Sequence, residues 1–298
     1  MNPTSLPFEY PFQWDNESLR EGAGVSPEGA AILKQRDRDL EDYLATLGGG
    51  GKPYATVVVA ASDSIAADRA RADYVCSGAA DQTEINSAFR ELSNSALGTG
   101  RVLLLEGTFH LTSNVQMGWR STLQGQGRGT ALQAAGAIIG VAMDEDALLL
   151  DLHVSGSDAS GSVGVYTGGN HPVKVHRVGV DGCQIGVQAP SGGGQHEIVS
   201  CALGATTAGS PLSVDIGASP AVRDDTRIEQ CSLSHGLRVF GARNLVLGNR
   251  FASGATINVV GGSDNCFAHN FLPGGLASFT DAGTTTQRGA NFANGGKW

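Results

Sequence analysis

One short β pattern recurs through the last two-thirds of this 298-residue chain, from about Arg101 onward, with no matching helices between its copies. The clearest pair is Asn244-Leu245-Val246-Leu247-Gly248-Asn249-Arg250-Phe251 and Asn265-Cys266-Phe267-Ala268-His269-Asn270-Phe271. Asn244 and Asn249 recur as Asn265 and Asn270, each 21 residues further on. Phe251 recurs one place early, as Phe271. A repeat of this length with alternating strands and glycine-rich turns marks a solenoid. The unit is too short for a helix pair, so each copy reads as one coil of a parallel β-helix, and the fold class is all-β dominated.

Weaker copies align upstream. Cys231-Ser232-Leu233 takes the place of Asn249-Arg250-Phe251, and before it come Cys201-Ala202-Leu203, Val178-Gly179-Val180 and Leu152-His153-Val154. A turn glycine follows at Gly182, Gly236, Gly254 and Gly275. Turns vary in length while strands do not, because a coil touches only its neighbours and loop insertions cost little. Stacked in this register, Asn249 and Asn270 form an amide ladder in the core, and Cys201 and Cys231 become stacked, buried thiols.

Composition agrees with such a core: 43 glycines, 16% charged residues and 6% aromatics. Small and β-branched side chains fill a β-helix, and glycine serves its corners. The glycines follow no three-residue period, which excludes collagen. A net charge of −9 without a basic stripe argues against a nucleic-acid partner. No apolar run approaches the roughly 20 residues of a membrane span, so membrane insertion is not expected. The start, Met1-Asn2-Pro3-Thr4, has no charged and apolar leader pattern. Cys76, Cys183, Cys201, Cys231 and Cys266 show no CxxC spacing and read as reduced thiols of a protein made in a cytosol, with no disulfide framework and no zinc site.

The first fifty residues differ in kind. Residues 1–25 read as an extended anchoring arm, because Phe8, Tyr10, Phe12 and Trp14 crowd beside Pro7 and Pro11 and cannot bury one another. Residues 26–50 read as a helix with Ser26 as N-cap and Pro27 at its first position. Leu33, Leu40 and Leu47 repeat every seven residues, which fits a three-fold bundle between subunits, while Arg36 interrupts the partner positions and leaves open a helix docked on the solenoid end. Gly48 to Gly51 then end the helix and form a swivel.

Residues 51–100 hold entry strands and a capping helix. Tyr54 to Ala60 and Tyr74 to Cys76 read as strands. Asp81-Gln82-Thr83-Glu84 reads as a capping box, and Ile85, Phe89, Leu92 and Ala96 mark one apolar helical face. An open solenoid end needs such a cover. The β-helix proper then runs over 101–298.

Three elements here carry a specific resemblance: Ala72-Asp73-Tyr74-Val75-Cys76-Ser77-Gly78 with Asp81, Glu84, Ile85 and Asn86; Gly100-Arg101-Val102-Leu103-Leu104-Leu105-Glu106-Gly107-Thr108-Phe109; and Leu123-Gln124-Gly125-Gln126-Gly127-Arg128-Gly129-Thr130. Together they resemble the entry region of the pectate-lyase-like, right-handed β-helix superfamily, in the branch found in bacteriophage tail and tail-spike proteins. The likeness covers about residues 54–135 closely and the later coils by pattern. Lys34 to Leu44 is similar to N-terminal segments of siphophage minor tail proteins. The resemblance implies a virion tail component, synthesised in the host cytoplasm, homotrimeric, and joined to other phage tail proteins through its arm. Host cell-surface glycan is a further candidate partner. The fold by itself does not imply lyase activity.

Chemistry is sparse. Enzymes of this superfamily carry clustered acids, often with a His and an Arg nearby. The comparable cluster is Arg223-Asp224-Asp225-Thr226-Arg227, with His235 beyond it. Asp224 and Asp225 with His235 are therefore the alternative catalytic set, as acid and base of a tail-spike depolymerase acting on surface polysaccharide. The competing reading is a solvated turn before a strand 227–233, and on it the chain carries no catalytic residue. His171 and His176 sit an odd number of residues apart and face opposite sides of a strand, so no metal is expected, and no cofactor. Gly125, Gly127 and Gly129 mark a coil corner, since no helix or Lys-Ser/Thr follows to make a phosphate loop. Trp119, Tyr166 and His171 are the side chains suited to stacking on sugars. A structural and adsorption protein of a tail tip or fibre is the favoured reading; the depolymerase is the alternative, and a cellular polysaccharide lyase comes third.

Overall fold

The computed structural model describes residues 55–94, 99–168, 171–190, 195–205, 210–217, 225–273, 278–293 and 296–297. The arm with Phe8, Tyr10, Phe12 and Trp14, the helix with Leu33, Leu40 and Leu47, the glycine run, Ala96, Gly275 and Asp224 lie outside them. The chain divides into two units, 1–53 and 54–298, and only the second is described below. Among the described residues no helix is long and apolar enough to cross a membrane.

Residues 54–298 form a right-handed parallel β-helix of about seven turns. Each turn lays one short strand on each of three parallel sheets, which hold eleven, seven and eight strands among the described residues. One coil shows the pattern: Arg227–Glu229 on the first sheet, Ser232–Leu233 on the second and Gly236–Val239 on the third. Side chains alternate, so one column per sheet points inward. Val175, Ile198, Ile228, Val246 and Phe267 stack in register on the first sheet, all fully buried. On the second sheet His153, Gly179, Ala202, Ser232 and Arg250 stack in the outward column, in the alignment read from the sequence.

Phe271 bridges Arg250, one place early as the alignment has it, so it points outward, and Leu272, fully buried, takes the core place of Phe251. Other readings need correction. The segment 227–233 is two strands, because Gln230 turns the chain at φ +54°. That turn is a column of its own. Asp151, Arg177, Ser200, Gln230 and His269 hold the same corner at φ between +53° and +57°. Left-handed backbone costs a non-glycine residue about 1–2 kcal/mol, and the rod accepts it because two strands are joined by only two residues. Gly236, expected in a turn, lies within its strand.

Glycine has a sharper use where the third sheet begins. A Cβ on Gly164 would lie 2.3 Å from Val180 Cγ1 and 2.7 Å from the Gly186 carbonyl oxygen. The second sheet's core valines occupy the space that a side chain would need.

The entry end is closed by helix α2 (Gln82–Ser93), while helix α1 (Ala66–Arg71) before it buries none of its residues. Ile85, Ala88, Phe89 and Leu92 of α2 are buried against the first coil. Asp81 is not part of a capping box: its side chain makes no cap hydrogen bond and it has helical dihedrals. Its carboxylate instead accepts the backbone N–H groups of Gly78 and His110, both at 2.8 Å. Neighbouring polar groups act alike. Thr108 N donates to Asp63 Oδ1 at 2.8 Å, Thr112 N to Gln82 Oε1 at 3.1 Å, and Gln116 N to Asn86 Oδ1 at 2.8 Å. The strands Gly107–Leu111 and Val115–Gln116 are the outermost of the second and third sheets. Side chains of the cap thus take the acceptor places that a preceding coil would fill.

Candidate functional site

Two corner columns supply the amide ladders of the core. After the left-handed residue at the first corner comes a buried position held in turn by Leu152, Val178, Cys201, Cys231, Asn249 and Asn270. Asn249 Nδ2 donates to Asn270 Oδ1 at 3.0 Å, and Asn270 Nδ2 donates to Asn291 Oδ1 at 3.1 Å. The second proton of each amide goes to a backbone carbonyl, Ile228 O and Val246 O. A second ladder joins Asn244 Nδ2 to Asn265 Oδ1 at 3.0 Å at the corner before the first sheet. Sequence reading missed Asn291, although the same 21-residue step from Asn270 reaches it. Higher in the first column the amides give way to thiols. Cys201 N donates to Cys231 Sγ at 3.5 Å, and the Cys201 thiol is held well above its ordinary range, first by its hydrogen bond to Cys231 and then by burial.

The corner before the first sheet has left-handed residues at Asp146, Asp225, Arg243, Asp264 and Thr285. Here lies a groove of about 600 Å³ lined by Pro172, Lys174, Gln195, His196, Glu197, Asp225, Arg227, Arg243 and Leu245. Lys174, Glu197, Arg227 and Leu245 form one outward column of the first sheet. Charges in the groove are matched pairwise. Lys174 Nζ is 3.2 Å from Glu197 Oε2, Arg243 pairs with Asp225, and Arg227 pairs with Glu229 beside the groove. His176 stands 3.5 Å from Glu197, and burial holds its imidazole below the ordinary range. His196 occupies the buried position between Val173 and Thr226, where burial alone lowers it to about 4. Such a wall offers hydrogen bonds with no net charge to a hydroxyl-rich ligand.

Of the alternative catalytic residues, Asp225 and His235 are described, and these two lie at different corners. Asp225 sits at the corner before the first sheet, engaged by Arg243. His235 sits at the corner before the third sheet, with Nδ1 2.8 Å from Ser234 Oγ and within 3.3 Å of Ala205 N. A strand of the first sheet and a strand of the second separate them. Among the aromatic candidates, Trp119 is exposed, with the Arg120 guanidinium 4.1 Å from its ring centroid. His171 lies 3.5 Å from Glu145, and Tyr166 lies on the outer face of the third sheet. That outer face also carries a pair the sequence did not flag: Arg238 clasps Asp215 through two bonds of 2.8 and 2.7 Å.

One group among the described residues has metal-ligand spacing. Cys76, Asp81 and Glu84 bring their ligand atoms within 4.8 Å of one another. Both Asp81 oxygens already accept backbone N–H groups, and burial pushes the Cys76 thiol well up, so the cluster is explained by the cap.

No protein-family model matches the chain, and no curated protein is similar to it. Among solved structures, ORF18 of Geobacillus virus E2 is similar at 13% identity with a TM-score of 0.36. The match covers 72% of this chain and 57% of that one, so it spans little more than half of the viral protein.

Proposed function

We propose that this chain is a structural component of a bacteriophage tail, set at the tail tip or in a fibre, and that it contributes to adsorption on the host surface. The observation that carries the reading is the entry region. The residues that resemble the phage branch of the β-helix superfamily, within 72–86 and 100–130, are the ones that build the cap and first coils. A stiff rod closed at one end suits a part held at that end and reaching outward. The N-terminal arm docks on other tail proteins, and the helix with Leu33, Leu40 and Leu47 gathers three copies. The neutral, hydrogen-bonding groove meets host glycan. Five free cysteines suit synthesis in a reducing host cytoplasm.

Immunogold labelling of purified particles with an antibody to this chain places gold at the tail, and light scattering on the purified chain gives a trimer mass. Particles that carry no label, while infected-cell extract does, would remove the virion reading. A clean monomer at micromolar concentration removes the trimer.

Binding without cleavage is the expected chemistry. A working pair of carboxyls is held about 5–10 Å apart across the bond, whereas Asp225 is engaged by Arg243 and His235 lies at another corner. Host capsule or cell-wall glycan incubated with the protein therefore yields no new reducing ends and no unsaturated products. Release of such products that disappears in Asp224→Ala or Asp225→Ala would establish the depolymerase instead.

A further inference from the structure

Cys201 and Cys231 occupy the same inward position in adjacent coils, one residue before the paired Ala202 and Ser232. Their side chains are 3% and 2% exposed. The Cys201 amide reaches the Cys231 sulfur at 3.5 Å, and the two thiols donate in the same manner to backbone carbonyls, Cys201 to Val175 O and Cys231 to Ile198 O. Neighbouring strands run about 4.8 Å apart, inside the 4.4–6.8 Å between Cα atoms that a disulfide spans. No other pair among the five cysteines has this placement: Cys76 belongs to the entry cap, Cys183 to the turn after the second sheet, and Cys266 to the outward column of the first sheet. The two positions are 30 residues apart in sequence, against 18 and 21 for the amide steps that follow. They therefore close the neck of the longer loop.

We propose that Cys201 and Cys231 are an oxidative modification site, converted by a small-molecule disulfide such as oxidised glutathione into a staple between successive coils. The Cys231 thiolate attacks one glutathione sulfur, breaking its S–S bond, forming a mixed disulfide and releasing one glutathione thiolate. The Cys201 thiolate then attacks the Cys231 sulfur, forms the protein S–S bond and expels the second glutathione. Two protein thiols are oxidised, one glutathione disulfide is reduced, and the two protons end on glutathione. Both sulfurs are buried, so exchange waits on local opening of the coil. The chemistry stands on the two thiols alone. Its timing, after release from a reducing cytoplasm, rests on the virion reading.

Purified full-length protein is incubated with oxidised glutathione at pH 8, in one arm while folded and in the other during refolding from denaturant, which removes the burial barrier. Intact mass is expected to fall by about two hydrogens, peptide mapping to give a 201–231 cross-link, and the melting temperature to rise by several degrees, because a closed loop constrains the unfolded chain. Dithiothreitol reverses all three, and Cys201→Ser and Cys231→Ser each abolish them. Absence of the cross-link in both arms, glutathione adducts confined to half-buried Cys266, or a cross-link that leaves the melting temperature unchanged would each overturn the proposal. Comparing purified particles with cell extract by alkylation trapping tests the timing separately, so failure of the virion reading leaves the thiol chemistry decided.

Discussion

Replacing Asp81 with alanine costs the rod about 3–4 kcal/mol and loosens its entry end first. The carboxylate is fully buried and holds two backbone N–H groups, from Gly78 and from His110. Removing it leaves both buried donors without an acceptor, and each such orphan costs about 1–3 kcal/mol. Asp81→Asn retains one oxygen and falls between the two. Solenoid coils contact only their neighbours, so damage at the cap spreads from that end. Hydrogen exchange is therefore the sharper measurement: the amides of His110 and Thr112 lose protection before those of the strand Leu245–Leu247. A melting curve and exchange pattern unchanged from wild type would mean that water satisfies these groups and that the cap acts through its apolar face alone.

The entry cap also shows what sequence can and cannot disclose. Ile85, Phe89 and Leu92 announced an amphipathic helix because periodicity is local. The task of its polar side was hidden, because an acid at a helix start reads the same whether it caps the helix or pairs with a distant strand. That choice depends on which N–H groups lack partners elsewhere, and residue 110 is 29 positions away from Asp81. Register was legible at Phe271, which stands opposite Arg250, but its consequence was not: a strand exchanges its inner and outer faces with each single step, so Leu272 and not the aromatic ring fills the core there. Of the groove, the sequence singled out Asp225 and Arg227 but none of the residues they face. Its lining spans Pro172 to Leu245, contributed by four successive coils. Column membership was the best-read feature, since stacking forces identical chemistry onto aligned positions, as Asn249 and Asn270 do.

Acid is expected to weaken this protein from about pH 6.5 downward, and His196 supplies about 3 kcal/mol of the loss. Its side chain is 1% exposed and neither ring nitrogen has a hydrogen-bond partner. Burial lowers its folded-state value to about 4 from 6.5. Between those values the unfolded chain binds a proton that the folded chain refuses, so stability falls as pH falls, by about 1.4 kcal/mol per unit. Below about pH 4 both states are protonated and this contribution levels off. Burial also lowers His176, which adds a loss of the same sign. His196→Val isolates the larger share, because valine matches Val173 on the preceding coil and carries no titrating group. Urea denaturation at pH 7, 5.5 and 4.5 should show the wild type losing stability steeply and the variant losing much less. At pH 7 the variant should be at least as stable, because two unpaired buried nitrogens are gone. Equal slopes in the two proteins would show that His196 is solvated or charged in the folded state, and that the column around it is more open to water than its burial indicates.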